Sequence, residues 1–224
     1  MNDVIRLENV KKFFKNGQYA LNDVSFRIFE NEHVSFYGTP ESGFNALIHL
    51  IGGLEAQSDG NVFILGRALH EMNSDEATTF RNRNIGLVPR SPNFMKSLSL
   101  LENVALPLTL RGLSSAKRLK AAKLQLKALG LLYAANAYPE QISAYEAQIA
   151  SIARALIAHP KILVLEEITL GLSAKEAEKI FATIADVKKN GDYTILSFSG
   201  SKSDVLQADR YIEFNHGTIR EVVL

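Results

Sequence analysis

The stretch HVSFYGTPESGFNALIHLIGGL, residues 33–54, constrains the fold more than any other part of the chain. An apolar run at 33–37 leads into a loop with glycines at 38 and 43, and Ala46, Leu47, Leu50 and Ile51 then recur at helical spacing. A strand that turns through such a loop into a helix has the place and the glycine spacing of a phosphate-binding loop, whose backbone amides hold an anion. The lysine and the hydroxyl that would complete that chemistry are missing, since Phe44 and Asn45 stand in their places. A strand-to-helix turn with no ligand is the other reading of the same residues.

The flanking segments set this unit in an α/β chain. VIRLENV at 4–10 and VSFRIF at 24–29 read as extended, and the Asn16-Gly17 pair between them favours a tight turn, so the N-terminal part is expected to be antiparallel β. NVFILG returns to strand at 61–66, residues 74–83 are helix-prone, and IGLVP at 85–89 is a short strand. From 91 to 139 the pattern turns helical, with Leu119, Leu124, Leu126 and Leu129 among lysines and alanines and Gly130 as a C-terminal stop. A helix at about 145–158, the buried-strand run KILVLEE at 161–167, a helix at about 173–190, the strand YTILSF, a short helix and the hairpin YIEFNHGTIREVVL follow. Strands alternating with helices predict a mostly parallel sheet covered on both faces. One domain over 1–224 is expected, with a helical subdomain inserted at about 91–150.

Composition excludes several functions. The 25 basic and 24 acidic side chains leave a formal charge of +1, which supplies no electrostatic case for wrapping nucleic acid or adhering broadly to an anionic membrane. Any such partner must be recognised locally. No cysteine is present for disulfides or thiolate metal sites, which fits a reducing compartment. MNDVIRLENV shows no basic-then-apolar signal, and no run of 18 apolar residues occurs, so the chain is not expected to cross a bilayer by itself. The five histidines show no metal-ligand spacing.

Ordered blocks identify a family. LENVKKFFKNG, ALNDVSF, the loop at 38–46 with LIHLIGGLEAQSDGNVFILG, IGLVPRSPNF, LENVALPLTLRGL, YPEQISAYEAQIASIARALIAHPKILVLEEIT and ADRYIEFNHGTI run in sequence along nearly the whole chain. Together they resemble the nucleotide-binding subunit of ATP-binding-cassette (ABC) transporters, with lipoprotein-release and macrolide-export ATPases the most similar in flavour. The resemblance implies a P-loop NTPase-like ABC ATPase fold, ATP and Mg²⁺ as cofactors, and a membrane permease as partner. It further implies a homo- or heterodimer with another ABC ATPase subunit, no nucleic acid, and a cytoplasmic position at the inner face of the membrane.

The same resemblance assigns residues. Gly38, Ser42, Gly43, Phe44, Asn45 and Ala46 occupy the phosphate loop, Phe14 the adenine-stacking position, and Asn45 and Glu166 the metal positions. Glu41 falls where glycine is common and Pro40 has no amide to donate. One lost cation and one gained anion matter, because a unit interaction at about 4 Å and an effective dielectric of about 20 is worth about 4 kcal/mol. Arg90 replaces a glutamine that touches Mg²⁺ and attacking water, and a guanidinium, having donors only, cannot ligate a metal. It either compensates for the lost lysine or is solvated or paired with a carboxylate.

Ser143 and Gln148 match the signature segment that caps a partner subunit's γ-phosphate, but Ala144 and Tyr145 replace its two glycines. Glu167 matches the general-base position, Ser173 replaces a subunit-contact aspartate, and Ser199 takes the place of the switch histidine. The departures sit at phosphate, metal or partner contacts while scaffold blocks persist. Three functions are compatible with this: a degenerate subunit that couples to a permease while binding ATP weakly, a slow but genuine ATP hydrolase energising transport, or a regulatory scaffold on the same fold.

Overall fold

The computed structural model describes residues 3–13, 17–39, 42–205 and 208–223. In chain order, β1 (Asp3–Phe13), β2 (Tyr19–Phe29) and β3 (His33–Tyr37) precede α1 (Phe44–Ile51), β4 (Asp59–Ile64), β5 (Arg67–Ala68) and α2 (Ser74–Asn84). Next come β6 (Ile85–Val88), α3 (Leu100–Thr109), α4 (Ser115–Ala128), α5 (Ala144–Leu156) and β7 (Ile162–Glu166). The chain closes with α6 (Ala174–Asn190), β8 (Thr194–Ser199), α7 (Lys202–Val205), β9 (Arg210–Asn215) and β10 (Thr218–Val223). These elements form two compact units, Met1–Arg81 with Asp192–Leu224, and Asn82–Gly191.

The first unit holds an antiparallel sheet, ordered β2-β1-β4-β5, and a mixed array ordered β10-β9-β3-β8. In the latter β9, β3 and β8 run parallel and β10 returns antiparallel as the edge. The period of two assigns one face of these strands to Val34, Phe36, Leu196, Phe198, Ile212 and Phe214, all buried. On that face the rings of Phe36 and Phe198 stack 4.6 Å apart. The opposite face buries polar groups instead, but satisfies them: His33 Nε2 meets Ser197 Oγ at 2.9 Å, and Ser197 also bonds to Ser35. The expected tight turn begins at Asn16, which lies outside the described residues.

In the second unit β6 and β7 pair in parallel from Ile85↔Ile162 to Val88↔Leu165, and α3, α4 and α5 pack on one another. The expectation of helix from residue 91 is corrected, because α3 starts only at Leu100. Pro92 and the Ser99 cap keep the preceding segment irregular, and the buried Asn103 amide holds it, donating to the carbonyls of Met95, Leu98 and Ser99 and accepting from Met95 N–H. Gly130 ends α4 as the sequence indicates. It adopts φ +71°, donates to Lys127 O, and lets Leu131 N–H reach Leu126 O at 2.8 Å, the double bond of a left-handed helix stop.

Candidate functional site

The first unit carries the loop. Gly43 caps α1 with φ 103°, and a Cβ there would collide with the carbonyl oxygen of Ala20, so only glycine fits. Gly38 is equally confined, since its Cβ would meet Ser42 Oγ at 2.6 Å and Phe214 O at 2.9 Å. Backbone bonds brace the loop: Ser42 N–H donates to Thr39 O at 2.9 Å within it, while Gly217 N–H donates to Ser42 O at 2.7 Å and Gly38 N–H to Ser199 O at 3.2 Å. Pro40, Glu41 and the adenine-position Phe14 lie outside the described residues.

Phe44 packs into the core. Its side chain is fully buried, with the ring centroid 6.0 Å from that of Phe198 and the rings tilted by 44°, and so joins the cluster of Phe36 and Phe198. Asn45 is exposed, Ala46 is buried, and the Ser42 hydroxyl is buried with no hydrogen-bond partner among the described residues. A cavity of about 380 Å³ opens beside the loop, lined by Tyr37, Gly38, Thr39, Ser42, Glu213 and the turn from Phe214 to His216. Ser199 has its hydroxyl committed, donating to Asp204 Oδ2 at 2.8 Å and accepting from Ser201 N–H at 3.0 Å.

The second unit holds the other positions. Glu166 ends β7 half-buried, and Glu167 follows with the uncommon φ of 43° for a non-glycine residue. Arg90 lies 52% exposed with its guanidinium 3.3 Å from the Glu167 carboxylate, so of the readings left open for this arginine the carboxylate pair is the one observed. Gln148 is buried against Pro89 O at 3.5 Å. Ser143 caps α5: its hydroxyl accepts from Glu146 N–H, while the Glu146 carboxylate takes the Ser143 N–H at 2.7 Å and hydroxyl at 2.8 Å. Tyr133 donates a further bond at 2.6 Å to the same carboxylate. That bond first, and then the two from Ser143, hold the Glu146 carboxyl below its ordinary range. Ser173 repeats the arrangement at α6 with Glu176, and Ser99 at α3 with Glu102.

Sequence reasoning missed Asp204, Tyr133 and the three capping glutamates. The Ser-x-x-Glu spacing at 99–102, 143–146 and 173–176 was the available signal for the caps.

The fit to ATP and Mg²⁺ follows from these side chains. Where a lysine would neutralise phosphate there is a buried phenyl ring, the Ser199 hydroxyl is spent internally, and the Glu167 carboxylate faces a guanidinium. Of the two positions expected to hold a metal, Asn45 presents an exposed side-chain amide and Glu166 a half-buried carboxylate.

Comparison with known proteins places the chain. The ABC transporter family model matches residues 21–170. The lipoprotein-releasing system ATP-binding protein LolD of Koribacter versatilis is 32% identical over 214 residues, covering 94% of this chain and 96% of its own. The methionine import ATP-binding protein MetN of Brucella abortus is 32% identical over 97% of this chain, which spans 59% of that longer protein. Among solved structures, the ATP-binding cassette MJ0796, a dimer bound to ADP and Pi, superposes with a TM-score of 0.91 at 32% identity over 98% of both chains. The α/β architecture with its antiparallel N-terminal sheet is therefore that of an ABC ATPase cassette.

Proposed function

The chain belongs to the ABC transporter family, and from that premise we propose that it is an ATP-binding-type subunit coupling to a membrane permease, with nucleotide binding weak or absent and hydrolysis weak or absent. The observation that carries the proposal is the burial of Phe44 against Phe198 at the position of the phosphate-binding lysine. A missing charge alone would leave an open, weakened cradle. A phenyl ring packed into the sheet instead makes that position part of the core. The Arg90–Glu167 pair, the internal bonds of Ser199 and the Ser143–Glu146 cap support the same reading, because each engages a group the family uses on phosphate or attacking water.

In this reading Glu167 keeps the general-base position without a substrate beside it, and Asn45 and Glu166 are residual metal positions. The helical segment at about 91–150 docks the permease, which holds the subunit at the inner face of the membrane. A second ABC subunit, identical or not, completes the assembly. No helix among the described residues is long and apolar enough to cross a membrane.

Calorimetric titration of the purified protein with ATP and Mg²⁺ tests the proposal. The expected result is no binding tighter than the millimolar range and no phosphate release. Micromolar affinity, with turnover abolished by Glu167→Gln, would overturn it in favour of a slow hydrolase. Failure to capture any membrane permease in a pull-down would shift the reading to a regulatory scaffold.

A further inference from the structure

The chain is nearly neutral, yet its positive charge is not spread evenly. Between Glu102 and Glu140 no acidic residue occurs, while Arg111, Lys117, Arg118, Lys120, Lys123 and Lys127 do, so a chain of net charge +1 carries six cations there that no acidic residue of the same stretch offsets. Two of these are used internally. Arg111 donates to the Asn82 side chain and carbonyl, and Arg118 donates to Leu113 O. The four lysines are on α4 and exposed, and among the described residues none of them makes an ion pair.

Their spacing is ordered. Lys117, Lys120 and Lys127 share one face of α4 at i, i+3 and i+10, with Lys123 at its border. Leu124 lies in the middle of that face and is 60% exposed, although Ala122 and Leu126 on the opposite side are fully buried. Like charges three and four residues apart weaken a helix, and α4 carries them without one acidic residue to offset them. A basic face with an apolar residue at its centre matches a surface that is anionic outside and apolar beneath.

We propose that the α4 face made by Lys117, Lys120, Lys123, Lys127 and Leu124 binds the headgroups of anionic phospholipids, with Leu124 entering the headgroup layer. The cluster falls in the range of four to eight basic residues that reads as lipid-binding. This inference takes up the membrane-side position of the preceding proposal and adds a direct contact that does not pass through the permease. Local recognition is what a net charge this small requires.

Permease-free vesicles test it with the full chain. The protein is expected to float with vesicles of phosphatidylcholine mixed with phosphatidylglycerol, not with phosphatidylcholine alone, and to be released by high salt. Each lysine neutralised should lower partitioning about fivefold, so that the Lys117/Lys120/Lys123/Lys127→Gln variant is lost from the vesicles. Leu124→Ser should weaken binding with the salt dependence unchanged. Glutamine is a good helix former, and an unaltered circular dichroism spectrum shows that the variant folds. Equal binding to neutral vesicles, undiminished anionic binding by the quadruple variant, or binding to polyglutamate but to no vesicle would each overturn the proposal. Permease capture by the quadruple variant separates the two readings, since loss of lipid binding alone leaves capture intact.

Discussion

Replacing Phe44 by alanine distinguishes a core residue from a vestigial ligand position. Phe44 is fully buried, so truncation forfeits the transfer of a whole aromatic side chain, about 2–3 kcal/mol. A residual cavity of about 100 Å³ would add about 2 kcal/mol if it failed to collapse. Alanine recovers up to about 0.5 kcal/mol of helix propensity in the first turn of α1. The balance is a loss of about 4 kcal/mol, inside the range of about 3–5 kcal/mol usual for buried Phe→Ala. For a chain of this size it lowers the midpoint by about 8–16 °C at about 2–4 °C per kcal/mol.

Urea unfolding followed by tyrosine fluorescence and circular dichroism measures it. Phe44→Leu serves as a control expected to cost under about 1.5 kcal/mol. Phe44→Lys restores the family residue and should cost as much as alanine without conferring ATP binding. A Phe44→Ala loss below about 1 kcal/mol would refute the reasoning, because the ring would then not be part of the core.

Two further predictions concern the loop and the helix caps. Gly43→Ala should cost more than about 3 kcal/mol by urea denaturation, since left-handed strain of about 1–3 kcal/mol is compounded by collision with the Ala20 carbonyl. Gly66→Ala, at φ +73° but in open space, should cost only the strain. The capping carboxyls of Glu102, Glu146 and Glu176 are held below their ordinary range, chiefly by hydrogen bonds from Ser99, Tyr133 and Ser173 respectively. A depressed folded value means that the stabilisation is complete above the unfolded carboxylate pKa of about 4.3 and is lost as pH falls through the folded values. Thermal midpoints of the triple Glu→Gln variant should therefore lie below wild type at neutral pH and converge with it in acid.

The strand HVSFY is legible from sequence to its terminal residues, because a short β-prone run is bounded by polar residues on one side and glycine on the other. So is the stop at Gly130. The core role of Phe44 was also written in the chain, since Phe44, Leu47, Ile48 and Ile51 form one helical stripe, but the motif drew attention to the missing lysine instead. The Ser143 and Ser173 caps were legible for the same reason and passed over in the same way. Arg90 and Glu167 lie 77 positions apart, and no local pattern encodes such a pair. Similarly, the brace from Gly217 to Ser42 depends on a hairpin returning to the loop from the far end of the chain.

That brace has a consequence for the order in which the protein is made. The unit containing the loop consists of Met1–Arg81 and Asp192–Leu224, and Gly217 bonds both to the loop at Ser42 and to β2 at Asn22. A nascent chain emerging from the ribosome has the loop early but lacks its brace until the final hairpin appears. At about 5–20 residues per second, the synthesis of the second unit intervenes for on the order of ten seconds. During that interval the Phe36, Phe44 and Phe198 cluster is also incomplete, because β8 has not been translated. The loop at 38–46 is thus synthesised well before the hairpin residue that braces it.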